Sequence, residues 1–135
     1  MTKAEIALNH RKEGRNCAQA VLLAYSEEAK RDPILLAMLS EGLGTGMANM
    51  QGSCGALVAA AILNGLLNSE YPSLSSKALV ASNSRLLVNK FMEKNGAIKC
   101  EELKGVKTGN PLASCEQCIT VACELIDEYL LNNIF

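Results

Sequence analysis

Apolar positions recur along this chain at intervals of three and four, and no stretch alternates polar with apolar as a half-buried strand does. The pattern predicts helices separated by glycine-marked breaks. The first covers Lys3 to Glu13 and ends at Gly14. The second starts at Asn16 and runs to about Lys30, with Gln19 at capping-box spacing and an inner face of Cys17, Val21, Ala24 and Tyr25. Asp32 and Pro33 cap and open a third helix that fades at Glu41 and Gly42. Ser53 is read as the cap of a helix from Cys54 to about Asn64, ended by Gly65. That helix is apolar nearly all round, so it is expected to be the buried central element. Pro72 and Ser73 precede a long helix to about Lys94, stopped by Asn95 and Gly96. Lys99 to Leu103 makes one short turn. Ser114, with Gln117 at capping-box spacing, caps a last helix striped by Cys115, Cys118, Ile119, Ala122, Leu125, Ile126 and Tyr129. The fold class is all-α: an irregular bundle of about five or six helices around a buried central helix, in a single domain of 135 residues.

The stretch from Gly42 to Gly52 breaks this regularity. Gly42, Gly44, Gly46 and Gly52 are too many for a regular helix, and suit a loop where backbone comes close to another group. The loop has no GK[ST] end, no GxGxxG and no preceding strand, so nucleotide binding is disfavoured. Met47 and Met50 are read as plugs of the core rather than as the mouth of a site.

Composition narrows the function classes. Apolar residues make up 49% of the chain, enough for a real core. The 13 basic and 14 acidic residues leave a net charge of -1, which argues against a nucleic-acid partner. With no Trp and few aromatics, base-stacking platforms are not expected either. The longest apolar run, Ala56 to Leu63, falls far short of the ~20 residues that span a bilayer. The N-terminus carries no apolar leader. The protein is therefore expected to be cytoplasmic and not membrane-embedded. A helical protein this apolar and this close to neutrality is expected to carry a sticky face and to form a homodimer.

Six cysteines stand against one histidine. In a reducing compartment such richness points to metal, cluster or redox chemistry rather than structural disulfides. Cys17 follows Asn16, Cys54 follows Ser53, Cys115 follows Ser114, and Cys100 opens its own short helix. All four fall in the first turn of a predicted helix, where unpaired N–H groups and the helix dipole favour thiolate. Four such sulfurs brought together suit an iron–sulfur cluster or tetrahedral zinc. Two brought together suit a reversible dithiol, with Cα atoms within ~4.4–6.8 Å. Cys118, three residues after Cys115, completes a C-x-x-C and fits both the core stripe and a site. Cys123 reads as packing. His10 and the pair Glu101 and Glu102 read as solvated surface.

Taken in order, these segments resemble the C_GCAxxG_C_C family of redox-active proteins. The resemblance rests on Asn16-Cys-Ala-Gln-Ala-Val, the glycine-rich loop with Met47 and Met50, Cys54-Gly-Ala, Gly96-Ala-Ile-Lys-Cys100-Glu-Glu-Leu-Lys-Gly105, and a late cysteine before an amphipathic helix. It covers about residues 10 to 130. It implies four characteristic cysteines, at Cys17, Cys54, Cys100 and Cys115, and redox or cluster chemistry in a small helical protein. Ala59 stands where the family motif has a glycine. The leading expectation is that these four converge as ligands of an iron–sulfur cluster or another metal. Backbone groups of the loop and helix start, at Gly44, Gly46, Gly52 and Gly55, would face the cofactor. The alternatives are a metal-free thiol–disulfide protein and a structural zinc or helical interaction module. The activity would be that of an oxidoreductase or an electron-transfer accessory, with a redox partner the sequence does not specify.

Overall fold

Caps, prolines and glycines divide the chain much as the pattern predicts. The structure, a computed structural model, describes residues 1–132; Phe135 lies outside the described residues. Among these there is no strand and there are eight α-helices: α1 (Lys3–Lys12), α2 (Cys17–Ala24), α3 (Ser26–Ala29), α4 (Pro33–Ser40), α5 (Gly55–Asn68), α6 (Lys77–Asn95), α7 (Cys100–Lys104) and α8 (Cys115–Ile126). Asp32 Oδ1 accepts the Ile34 N–H at 2.9 Å, so α4 starts where the Asp-Pro pair says it should.

The count exceeds the expected one because the second predicted helix divides at Tyr25 and the short turn predicted at Lys99 to Leu103 forms a helix of its own, α7. Its ring is fully buried, and its hydroxyl donates to Asp127 Oδ1 at 2.7 Å and to the Cys123 carbonyl at 3.0 Å. The Tyr25 backbone leaves helical geometry (φ -109, ψ 20), and α3 stops at Lys30 in the left-handed region (φ 54). Two other boundaries shift. Gly65 does not end α5, which runs on to Asn68. Beside Gly65, buried Asn64 ties α5 to α6 by donating to the Val80 carbonyl at 2.8 Å and Ser84 Oγ at 3.0 Å. In turn α6 starts only at Lys77, because serine hydroxyls hold the chain before it in turns: Ser76 Oγ accepts the Glu70 N–H at 2.8 Å and Ser73 Oγ the Ser75 N–H at 3.2 Å.

The central position is shared. Every α2 residue except Gln19 is buried, against α1, α4, α5 and α8. By contrast α5 buries Ala56, Leu57, Ala59, Ala60 and Leu63 and leaves Val58, Ala61, Ile62 and Leu66 half-buried. So α2, more than the α5 helix expected there, is the middle of the bundle. Leu22, Leu36, Leu63, Leu87, Phe91 and Ile119 are fully buried and contribute roughly 1.5–3 kcal/mol each. One apolar face stays outside: Ile34, Leu35, Met38 and Leu39 on α4 are exposed. Among the described residues no helix is long and apolar enough to cross a membrane.

Candidate functional site

Local devices place four cysteines at helix starts. Before Cys17 the capping box is complete: Asn16 Oδ1 accepts the Gln19 N–H at 2.8 Å and Gln19 Oε1 accepts the Asn16 N–H at 3.1 Å. Before Cys115 it is half made. Ser114 Oγ accepts the Gln117 N–H at 3.0 Å, but the Gln117 amide donates to Asn95 Oδ1 at 3.0 Å. Ser53 does not cap α5. It pairs with Lys99 in an antiparallel bridge, and Cys54 itself is the N-cap. The Cys54 N–H bonds the Ile98 carbonyl at 2.7 Å, and the Cys100 N–H bonds the Gly52 carbonyl at 3.0 Å. This bridge clamps the starts of α5 and α7 side by side.

The same ends of α2 and α5 meet closely. A Cβ on Gly55 would stand 3.2 Å from Ala18 Cβ and 3.1 Å from the Leu43 carbonyl oxygen. The glycine-rich loop closes over α7 as a left-handed turn, with positive φ at Thr45, Gly46, Met47, Ala48 and Met50. Each non-glycine residue in that region costs about 1–2 kcal/mol. Two bonds hold it there: the Gly52 N–H to the Gly46 carbonyl at 3.0 Å, and Gln51 Nε2 to Glu101 Oε2 at 2.8 Å. The turn throws Met47 outward, 60% exposed, so it is no plug of the core; Met50 is half-buried.

These elements enclose a cavity of about 220 Å³. Cys17, Cys54, Cys100, Cys115 and Cys118 all line it. Arg11, Arg15 and Lys104 line it too, and no Asp or Glu does among the described residues. Of the four glycines expected at the cofactor, Gly46 and Gly55 are on the wall. Gly44 packs on the Asn16 side chain and Gly52 on Met47 and Gly46, so these two shape the loop instead. The N–H groups bonded to a sulfur are those of Ala56 and Leu57, on Cys54, from α5's own first turn.

The sulfurs are joined two by two. Cys17 and Cys115 are each other's strongest partner, and so are Cys54 and Cys118. The nearby C-x-x-C residues therefore take separate distant partners rather than each other. The bond from Cys17 outweighs burial and, with positive charge from Lys104 and Arg11, lowers Cys115 to about 6. The bond from Cys118 and the Ala56 and Leu57 N–H groups likewise lower Cys54 to about 7 against burial. Cys17 and Cys118 are pushed well above the ordinary thiol range by their partner sulfurs and by burial. Cys100 stands outside both pairs, against Gly46, and burial raises it. Arg11 reaches both Cys17 and Cys115.

Chemically the arrangement provides one thiolate and one proton-holding thiol in each pair. Among the described residues no group of three or more His, Cys, Asp or Glu side chains is arranged to hold a metal ion. The expected four-cysteine ligand set is thus brought to one cavity but is paired, with Cys118 in place of Cys100 in the second pair.

The profile described as "Putative redox-active protein (C_GCAxxG_C_C)" matches residues 15–129. The chain belongs to this family. Comparison with curated proteins and with solved structures returns no match. Within the C_GCAxxG_C_C pattern, Ala59 at the motif's glycine position is fully buried, so its extra methyl sits in the core.

The cationic wall escaped the sequence reading. Its signal was faint: basic residues close α1, Gly14 (φ +106) turns the chain back, and Arg15 directly precedes Asn16 and Cys17. Glu101 also departs from expectation. It is buried, held by Gln51 and by Lys107 and Lys99 at 3.3 and 3.5 Å. Burial works to raise its carboxyl, and the two ammonium groups outweigh it and lower it. His10 is half-buried with Nδ1 shielded from solvent. Cys123 lies in the core outside the cavity, and burial pushes it up to about 12.

Proposed function

We propose that this protein is a thiol–disulfide redox protein that cycles the Cys17–Cys115 pair, with Cys54–Cys118 as a second dithiol behind it. The carrying observation is the pairing itself, each pair uniting a lowered and a raised thiol across two helix starts in a cationic cavity. The Cys115 thiolate, less buried than Cys17, attacks one sulfur of a substrate disulfide. A mixed disulfide forms, and the other substrate sulfur leaves as thiolate. Cys17 gives up its proton to that leaving thiolate and attacks Cys115 Sγ. The Cys17–Cys115 disulfide forms, and the remaining substrate sulfur leaves as the second thiolate. The pair has lost two electrons and the substrate has gained them. A dithiol of this kind works in a reducing compartment, so the reading includes a cytoplasmic location and a thiol reductant as redox partner.

One observation favours a second reading, in which the cavity holds an iron–sulfur cluster or zinc: five cysteines share one wall. The pairing does not form a metal-holding set, so no step is routed through a metal. Anaerobic purification with assays of iron, sulfide, zinc and free thiols separates the two. The dithiol reading expects colourless, metal-free protein with reactive thiols. Stoichiometric iron and sulfide with broad visible absorbance overturns it. For the homodimer, the supporting feature is the exposed apolar face of α4.

A further inference from the structure

The cavity carries a charge that the thiols do not use up. Arg11 and Arg15 sit on its wall with Lys104, and no carboxylate shares that wall among the described residues. Arg11 Nε and Arg15 Nη1 are shielded from solvent and have no hydrogen-bond acceptor among the described residues. The nearest ion-pair partner of Arg15 is Glu13, whose Oε2 stands 3.6 Å from Nη1, beyond hydrogen-bond reach. Arg11 spends part of its guanidinium on Cys17 and Cys115, and on the Arg15 carbonyl at 3.5 Å. A buried guanidinium nitrogen left without an acceptor is costly, and an oxyanion is the partner its geometry fits. About 220 Å³ accommodates a small molecule.

We infer that the cavity recognises a small disulfide bearing an oxyanion, carboxylate or sulfonate, whose anionic end lies on Arg15 and Arg11 while its sulfur faces Cys115. This rests on the dithiol reading and adds the substrate class. Arg15 is the specificity residue: Arg11 is engaged with Cys17 and Cys115, whereas Arg15 Nη1 is left without an acceptor. Arg11 serves both recognition and thiol activation. The exchange step is the one written above; the arginines only fix the anionic end.

The test compares four symmetric disulfides, those of mercaptopropionate, mercaptoethanesulfonate, mercaptoethanol and cysteamine, as oxidants of the reduced protein at low salt. The two anionic ones are expected to react about tenfold faster than the neutral one, and the cationic one slowest. Arg15→Gln flattens that order, Arg15→Lys restores most of it, and added salt weakens it. Separately, adipate, which has no disulfide, should slow alkylation of Cys115 by iodoacetamide where hexanediol does not. Equal rates for all four disulfides, or an order unchanged in Arg15→Gln, overturns the inference. A carboxylate rate far above the sulfonate rate, or the reverse, names the oxyanion. If none of the disulfides reacts, the dithiol reading has failed instead, and adipate then decides the anion site alone: no protection overturns it.

Discussion

Cys17, at the start of α2, and Cys115, at the start of α8, face each other across the cavity, and each is the other's strongest partner. One partner is therefore a thiolate-former and the other a reserve of the proton. Their interaction holds the first proton loss below the ordinary thiol range, and that loss belongs to the two sulfurs together.

That relationship fixes a pH profile. A lowered thiol is deprotonated above its shifted value and regains its proton as pH falls through it. Iodoacetamide should label Cys115 first, with a rate that rises through about pH 6 and is flat by neutrality. Cys17 should resist until Cys115 is blocked. Peptide mass analysis of timed samples reads both. A Cys115 midpoint in the ordinary thiol range, ~8.5, would contradict the pairing.

Gly46 and Gly65 make a contrasting pair. A methyl on Gly46 would stand 2.6 Å from Cys100 Cβ and 2.8 Å from the Gly52 carbonyl, at φ +56. Gly46→Ala should therefore destabilise by about 1–3 kcal/mol and disturb Cys100. Gly65 lies inside α5 with nothing within 4 Å of its would-be Cβ. Gly65→Ala should stabilise by about 0.5–1 kcal/mol. Urea unfolding with thiols kept reduced measures both, and a neutral Gly46→Ala would remove the close contact from the account.

The apolar face of α4 sets up a third outcome. Met38, 68% exposed beside Ile34, Leu35 and Leu39, should lie in the proposed homodimer contact. Met38→Glu should shift the mass measured by light scattering from dimer to monomer with helix content unchanged. A wild-type protein that is monomeric at all concentrations removes the dimer.

Much of this was legible in the chain. Asn16 with Gln19, Asp32 with Pro33, and Ser114 are short-range signals that each put a helix start in place, and the first and last also placed Cys17 and Cys115. What local pattern does not hold is which sulfurs meet. Cys115 and Cys118 are neighbours on one helix, yet their partners come from α2 and α5. That choice depends on the close approach at Gly55 and Ala18 and on the bridge between Ser53 and Lys99. Tyr25 likewise ended a helix through a bond to Asp127, which no window around Tyr25 contains. Arg15 drew no reading from the sequence, because its charge matters only once α7 brings Lys104 to the same cavity.

The central claim is the pairing of four thiols as two dithiols. The direct measurement is to oxidise the reduced, metal-free protein anaerobically with a limiting small disulfide, and to map the products by peptide mass. The account predicts Cys17–Cys115 first, then Cys54–Cys118, with Cys100 and Cys123 left free. A Cys115–Cys118 link, or Cys100 joined to any of the four, would contradict it.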